Sequence, residues 1–223
     1  MLDARSRASL PLTEGRGHGV PVASLAGARR SEVGRGTVVI AEGRPTHAWH
    51  VVEAGAIGVS CTSRLGCTAT LAVLGPGDVI PPAARGDLLA ESRAIVDSAV
   101  LRISMPEMDL AVQRDPALGW WLQGAQHRHV DRLRRRLASA LSLGVRERLL
   151  EVLRDLASSH GRPARDGVRI ELPLAQELLA TMVGATRESV NRAVRSLEAG
   201  GAIRRFKGGY VLVGPGSAIR TKP

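Results

Sequence analysis

The sequence predicts an α+β fold in three parts: an N-terminal antiparallel β-sandwich or barrel, one long helix, and a compact helical unit closed by a β-hairpin. Three observations carry this. Between about residues 35 and 104 the chain is a series of short β-type runs cut by glycine. From Pro116 to Leu143 apolar residues recur at three-to-four spacing. After Leu174 two short helical patterns meet at Gly184, and two strand-like runs follow them. With 44% hydrophobic residues among 223, the chain can bury more than one core and is too apolar to be disordered.

Composition excludes several classes. No apolar run approaches the ~20 residues of a membrane-spanning helix, and the arginine-sprinkled N-terminus has no signal-peptide core, so a cytoplasmic protein is expected. Two cysteines, Cys61 and Cys67, cannot build a disulfide framework or ligate an iron–sulfur cluster. The net charge of +10 is unevenly placed. Residues 1–113 carry 11 basic and 11 acidic side chains, residues 114–143 six and two, and residues 144–223 14 and eight. A positive field confined to the second half points to a polyanion partner there, with a merely solvated basic face as the alternative.

Residues 1–20 show no sustained apolar period and read as a mobile tail. The β-type runs follow: TVVIAEG, AWHVVEAG, AIGVSCTS, CTATLAVLGPGDVI and ESRAIVDSAVLRIS, with Gly36, Gly43, Gly55, Gly58, Gly66, Gly75 and Gly77 at the corners. Cys61 and Cys67 flank TSRLG, a hairpin loop across which they could face each other; unrelated thiols are the default, and a redox pair or two-thiolate metal site is the alternative.

Asp115–Pro116 starts a helix of about 25 residues. Its stripe of Leu118, Leu122, Ala125, His129 or Val130, Leu133, Leu137 and Leu141 is narrow, while Arg128, Arg132, Arg135 and Arg136 fall mainly elsewhere. So narrow a stripe on so long a helix is best buried against a second copy, and a homodimer is predicted, with a helix packed only within its own chain as the alternative. Trp120 and Trp121 are expected to pack the sandwich against this helix, or else to wall a small-molecule pocket. His127 and His129 are two apart, point to different faces and make a poor metal pair. A second helix, VRERLLEVLRDLASSH, runs from the pivot at Leu143–Gly144 to Gly161; a polar turn and a short strand, RIELP, come next.

Residues 174–197, LAQELLATMVGATRESVNRAVRSL, carry the strongest local signal. Leu178, Leu179, Met182 and Val183 line the inside of one short helix, and Val190, Ala193, Val194 and Leu197 the inside of another, with Gly184 at the turn. That is a helix–turn–helix. Thr186 is placed to cap the second helix, whose outward face presents Arg187, Glu188, Asn191, Arg192 and Arg195. Arginine forks can donate to guanine O6 and N7, and glutamate can accept from the cytosine amino group, so this face suits direct readout of duplex DNA. The hairpin GAIRRFKGGYVLV forms a wing on which Arg204, Arg205 and Lys207 can neutralise phosphates. Phe206 and Tyr210 are expected to pack the hairpin.

With these residues in view, LPLAQELLATMVGATRESVNRAVRSLEAGGAIRR resembles the winged helix–turn–helix of the CRP/FNR family of bacterial transcription regulators. The resemblance extends over residues 29–215. It implies that Arg187, Glu188 and Arg192 contact base edges, that Thr186 contacts a phosphate, and that the target is an inverted repeat of TGTGA-like half-sites bound by a homodimer. Upstream, GRGTVVIAEGRPTHAWHVVEAGAIGVS and ATLAVLGPGDVI are similar to the family's cyclic-nucleotide-binding β-roll, a jelly roll. The implied organisation is a tail (1–20), a β-roll sensory domain (21–113), a dimerisation helix (114–143) and a winged helix–turn–helix DNA-binding domain (144–223).

The nucleotide site departs from the family pattern. Pro81–Pro82 stand where a Gly-Glu pair is expected, and Ser92 stands where the phosphate-binding arginine is expected, with Arg93 one residue on. A one-residue shift turns a strand side chain to the other face, and prolines offer no N–H. Leu133 and Arg134 occupy the polar helix positions that meet the base in the family. Cyclic nucleotide is therefore not expected as effector and no cofactor is expected, while Arg85, Ser92, Arg93, Leu133 and Arg134 form a candidate pocket for some other effector. No nucleophile–base pair, Walker loop or metal-ligand spacing is present, so no enzyme is expected. Double-stranded DNA, a second copy and RNA polymerase are the expected partners, with no membrane. A sensor of another small molecule, redox change or partner protein, and a constitutive nucleoid-type protein, are the alternatives.

Overall fold

The computed structural model describes residues 25, 27–83 and 90–214; the tail at 1–20 and Arg85 lie outside them. In chain order the elements are β1 (Arg29–Val33), β2 (Val38–Ile40), β3 (Ala48–Ala54), β4 (Ile57–Thr62), β5 (Thr68–Leu74), β6 (Val79–Ile80), β7 (Glu91–Ala94), β8 (Ser98–Ser104), α1 (Met105–Arg114), α2 (Pro116–Ser142), α3 (Val145–His160), β9 (Gly161–Ala164), β10 (Gly167–Ile170), α4 (Gln176–Val183), α5 (Arg187–Ala199), β11 (Ile203–Phe206) and β12 (Gly209–Val213).

Two antiparallel four-stranded sheets, β1-β8-β3-β6 and β2-β7-β4-β5, face each other as the predicted roll. Val52 and Val100 of the first sheet meet Ile57, Val59, Leu74 and Ala94 of the second in its interior. The outer face of the first sheet is also covered: Val51, Leu101 and Ile103 pack on Met108 of α1 and on Leu118, Leu122 and Ala125 of α2. The middle of β3 is consequently buried on both faces, which is why Val51 and Val52 follow each other without alternation.

Helix α1 was not expected, although its start is legible. Ser104 and Glu107 form a reciprocal capping box beside Pro106, each side chain meeting the other residue's backbone N–H. The long helix has 27 residues and opens on Asp115, whose carboxylate accepts from the Ala117 N–H at 3.1 Å. Its apolar stripe divides, which corrects the single-seam reading. Leu118, Leu122 and Ala125 are buried within the chain, whereas Val130, Leu137 and Leu141 are exposed.

The arginines of α2, which lie off that stripe, have partners of their own. Arg128, Arg132 and Arg136, at i, i+4 and i+8, turn onto the roll. Arg128 donates to the Gly77 carbonyl (3.4 Å), Arg132 forks onto Asp78 (3.0 and 2.7 Å), and Arg136 donates to the carbonyls of Thr70 and Leu71 (2.7 and 2.6 Å). Asp78 also accepts from the Gly75 N–H, so the turn and the helix share one carboxylate.

One local expectation changes, and one alternative is not met. Trp120 is 74% exposed, while Trp121 joins the first sheet's outer core. Cys61 is paired in register with Ala69, not with Cys67, because Thr62 and Thr68 close the hairpin and Ser63 bonds Cys67; the thiols do not face each other.

The third sheet, β11-β12-β10-β9, closes on α3, α4 and α5 around Leu149, Leu153, Leu179, Val194 and Leu197. The expected polar turn after Gly161 is partly strand β9. This core takes in Val73 from the outer face of the second sheet and Ala56 from the turn before β4. Thr70 of β5 and Thr181 of α4 share a hydrogen bond at 2.7 Å, so the helical unit lies directly on the roll.

Candidate nucleic-acid interface

The interface is built outward from the core. Leu179, Met182 and Val183 of α4 and Val190, Ala193, Val194 and Leu197 of α5 are buried together, which fixes the crossing of the two short helices. Gly184 joins them at φ 66°, ψ 51°, left-handed backbone that a side chain would strain. Thr186 then caps α5: its hydroxyl oxygen accepts from the Ser189 N–H at 3.2 Å, satisfying one of the free donors of the first turn.

With the inner face committed, the 3.6-residue period leaves Arg187, Glu188, Arg192 and Arg195 exposed and Asn191 half-buried. Their charges are partly satisfied locally. Arg187 pairs with Glu177 of α4 at 2.8 Å, and Arg192 with Glu188 at 3.4 Å. Arg195 has no ion pair among the described residues. The face thus mixes one carboxylate with three guanidinium groups, two of which are held by exposed, exchangeable partners. Such pairs contribute little stability, so releasing them to another anion costs little.

The wing brings three more cations to the same unit. Arg204 pairs with Asp166 and Arg205 with Glu198 at 2.7 Å, the latter holding the Arg205 guanidinium above its usual range; Lys207 is exposed at the tip. Tyr210 is buried and Phe206 half-buried, with the Arg169 guanidinium 4.0 Å over the Phe206 ring, so both aromatics brace the hairpin.

The candidate effector residues are not gathered in the same way. Ser92 of β7 points into the roll and is buried. Arg93 points outward, where Glu91 (2.7 Å) and the Gly36 carbonyl (2.8 Å) hold its guanidinium. Leu133 lines a different cleft, against α3 and α4. Arg134 is exposed and pairs with Asp131 at 3.4 Å. Among the described residues no group of His, Cys, Asp and Glu is arranged to hold a metal, and no helix is long and apolar enough to cross a membrane. Sequence reasoning missed the Arg128, Arg132 and Arg136 row that ties this unit's supporting helix to the roll. Its one signal was the i, i+4, i+8 spacing.

A capped, arginine-faced second helix on a helix–turn–helix, a basic wing and a cyclic-nucleotide-binding-type β-roll define a DNA-binding transcription regulator. Residues 147–215 match the Crp-like helix-turn-helix domain and residues 30–115 the cyclic nucleotide-binding domain. The chain belongs to the CRP/FNR family.

It is 27% identical over 189 residues to the CRP-like cAMP-activated global transcriptional regulator of Mycobacterium tuberculosis, covering 80% of this chain and 81% of that one. It is 23% identical over 186 residues to the anaerobic regulatory protein of Bacillus subtilis, covering 79% and 76%. Among solved structures it resembles a CooA mutant from Carboxydothermus hydrogenoformans, with TM-score 0.71 and 21% identity over 86% of this chain and 85% of the other. The c-di-GMP responsive global regulator CLP of Xanthomonas campestris gives TM-score 0.69 and 20% identity over 87% and 98%. These structural likenesses establish the fold.

Proposed function

We propose that this protein is a cytoplasmic homodimeric regulator that reads an inverted repeat of TGTGA-like half-sites and does so without cyclic-AMP control. The observation that carries the reading is the outward face of α5, where Arg187, Glu188 and Arg192 stand exposed at the N-terminal end of a threonine-capped helix. In this reading Arg187, Glu188, Asn191 and Arg192 meet base edges. Thr186, Arg195, Arg204, Arg205 and Lys207 meet phosphates and set the register.

The division is a sensory roll over 21–113, a dimerisation helix over 114–143 and a DNA-binding unit over 144–223. Dimerisation is supported by the exposed Val130, Leu137 and Leu141 on one long helix. Two copies related by a two-fold axis require half-sites about one helical turn apart. RNA polymerase is the further partner.

Nucleotide independence is supported by β7 and the turn before it. The inward position holds Ser92, a guanidinium one residue on is turned out and engaged, and Pro81–Pro82 remove two backbone donors. These residues do not fit a cyclic phosphate.

The test is selection of binding sites from random duplex DNA by the untreated protein, repeated with cyclic AMP and cyclic GMP. An inverted repeat recovered without nucleotide is expected, and recovery only with nucleotide overturns the second half of the proposal. Arg187→Ala should cost about 1–3 kcal/mol and relax one base position, whereas Arg205→Ala should weaken all sequences alike and lower the salt slope by about 1. Identical behaviour of the two variants refutes the division of roles.

A further inference from the structure

We propose that the cleft between α2, α3, α4 and β5 is a binding site for a small amphipathic carboxylate, separate from the nucleotide position of the roll. Its volume is about 550 Å³, a size suited to a metabolite. Leu71, Leu133, Val152 and Met182 give it apolar walls from four different elements.

The polar end is cationic and incompletely paired. Arg136 uses one terminal nitrogen on the carbonyls of Thr70 and Leu71, and its Nε is buried without a partner. Arg148 likewise has a buried, unpartnered Nε, and it makes no ion pair among the described residues. A buried donor left unpaired costs about 1–3 kcal/mol, and a carboxylate is the acceptor whose geometry matches a guanidinium fork.

The other charges lining the cleft narrow the class. Glu151 is taken by Arg154 at 2.6 Å, and Asp155 lies 3.9 Å from Arg135, with burial raising its carboxyl above the usual range. Three guanidinium groups, of Arg135, Arg136 and Arg148, therefore face two carboxylates. That balance favours a monoanion with a hydrocarbon body over a phosphate dianion, which Glu151 and Asp155 would repel.

The walls belong on one side to the roll and its long helix, and on the other to the DNA-reading unit. A ligand with different affinity for the docked and undocked arrangements would shift the balance between them. This regulatory step rests on the DNA-binding reading above; the binding itself does not.

The experiment is calorimetric titration of the full-length protein, without DNA, with saturated carboxylates of six to twelve carbons. Decan-1-ol serves as the neutral control. Saturable binding of at least one carboxylate is expected, at least tenfold tighter than decan-1-ol and at least tenfold weaker in R148Q. A140F, which narrows the mouth from an exposed position, should lose binding while keeping the wild-type circular dichroism spectrum. No saturable binding by any chain length, equal binding of the alcohol, or wild-type affinity in R148Q overturns the site. If binding stands but saturating carboxylate leaves affinity for the selected duplex unchanged, the regulatory step is overturned. Failure to bind DNA at all would fall on the earlier reading instead.

Discussion

His160 ends α3 and is wedged against the turn between β5 and β6. A Cβ on Gly75 would lie 2.9 Å from its Nε2, so only glycine permits the approach. Nδ1 shares a hydrogen bond with the Ser159 hydroxyl at 2.8 Å, and Nε2 is buried without a partner. Desolvation pushes the imidazole from 6.5 down to about 4; Arg132 adds to the shift, while Asp78 and the Leu74 backbone only partly oppose it. Above pH 6.5 the ring is neutral folded or unfolded, and it contributes nothing to the pH dependence. As the pH falls from 6.5 toward 4 the unfolded chain takes up a proton that the folded chain refuses, so stability is lost, the loss being complete below 4. At ~1.36 kcal/mol per unit the full loss is ~3 kcal/mol, and about 2 kcal/mol of it is reached at pH 5. Urea unfolding at pH 7.5 and 5.0 should show the wild type losing about 2 kcal/mol more than H160Q between the two. His50 and His129, which burial also lowers, are present in both proteins and cancel. Equal losses in the two proteins would refute the burial of this ring.

Two further substitutions test the supports of the interface. Asp78→Asn removes the charge that holds the largely buried Arg132 and should cost about 3–5 kcal/mol, read as a lower denaturant midpoint at unchanged slope; a cost below about 1 kcal/mol would show that the pair is solvated. Leu141→Glu, at a position 81% exposed in the single chain, should leave the fold intact and reduce the sedimenting mass to that of one chain; a variant that stays dimeric places the seam elsewhere.

The parts of the fold written in local pattern were legible. The helix–turn–helix was readable residue by residue, because its inner apolar positions, the left-handed glycine at 184 and the capping Thr186 lie within one short segment. The roll was readable as glycine-cut strands. Its pairing order was not, since β1 with β8 and β2 with β7 join residues about sixty positions apart. The same distance hid the attachment of α2. Nothing near Asp78, just past the Gly77 corner, or near Arg132, off the apolar stripe, marks the other as its partner, and only the fold brings them within 2.7 Å. The cleft behind α4 was invisible for a related reason: its walls come from four segments, and of its lining Leu133 alone had been read as an effector contact. Helix α1 differs, because Ser104, Pro106 and Glu107 spell its start and could have been read.

The row of Arg128, Arg132 and Arg136 has a mechanical consequence. These side chains span about 12 Å along one line of α2 and grip the roll at three heights. They act as a key in a shaft: the helix cannot rotate about its own axis without breaking all three holds together. A twist of the roll is therefore carried along the helix toward Leu137 and Leu141, and in the proposed dimer the angle at which two such shafts cross would follow their rolls. The DNA-reading unit can swing only at Leu143–Gly144, where the helix ends and the key no longer holds, and only by giving up its contacts with the roll, the Thr70–Thr181 hydrogen bond among them.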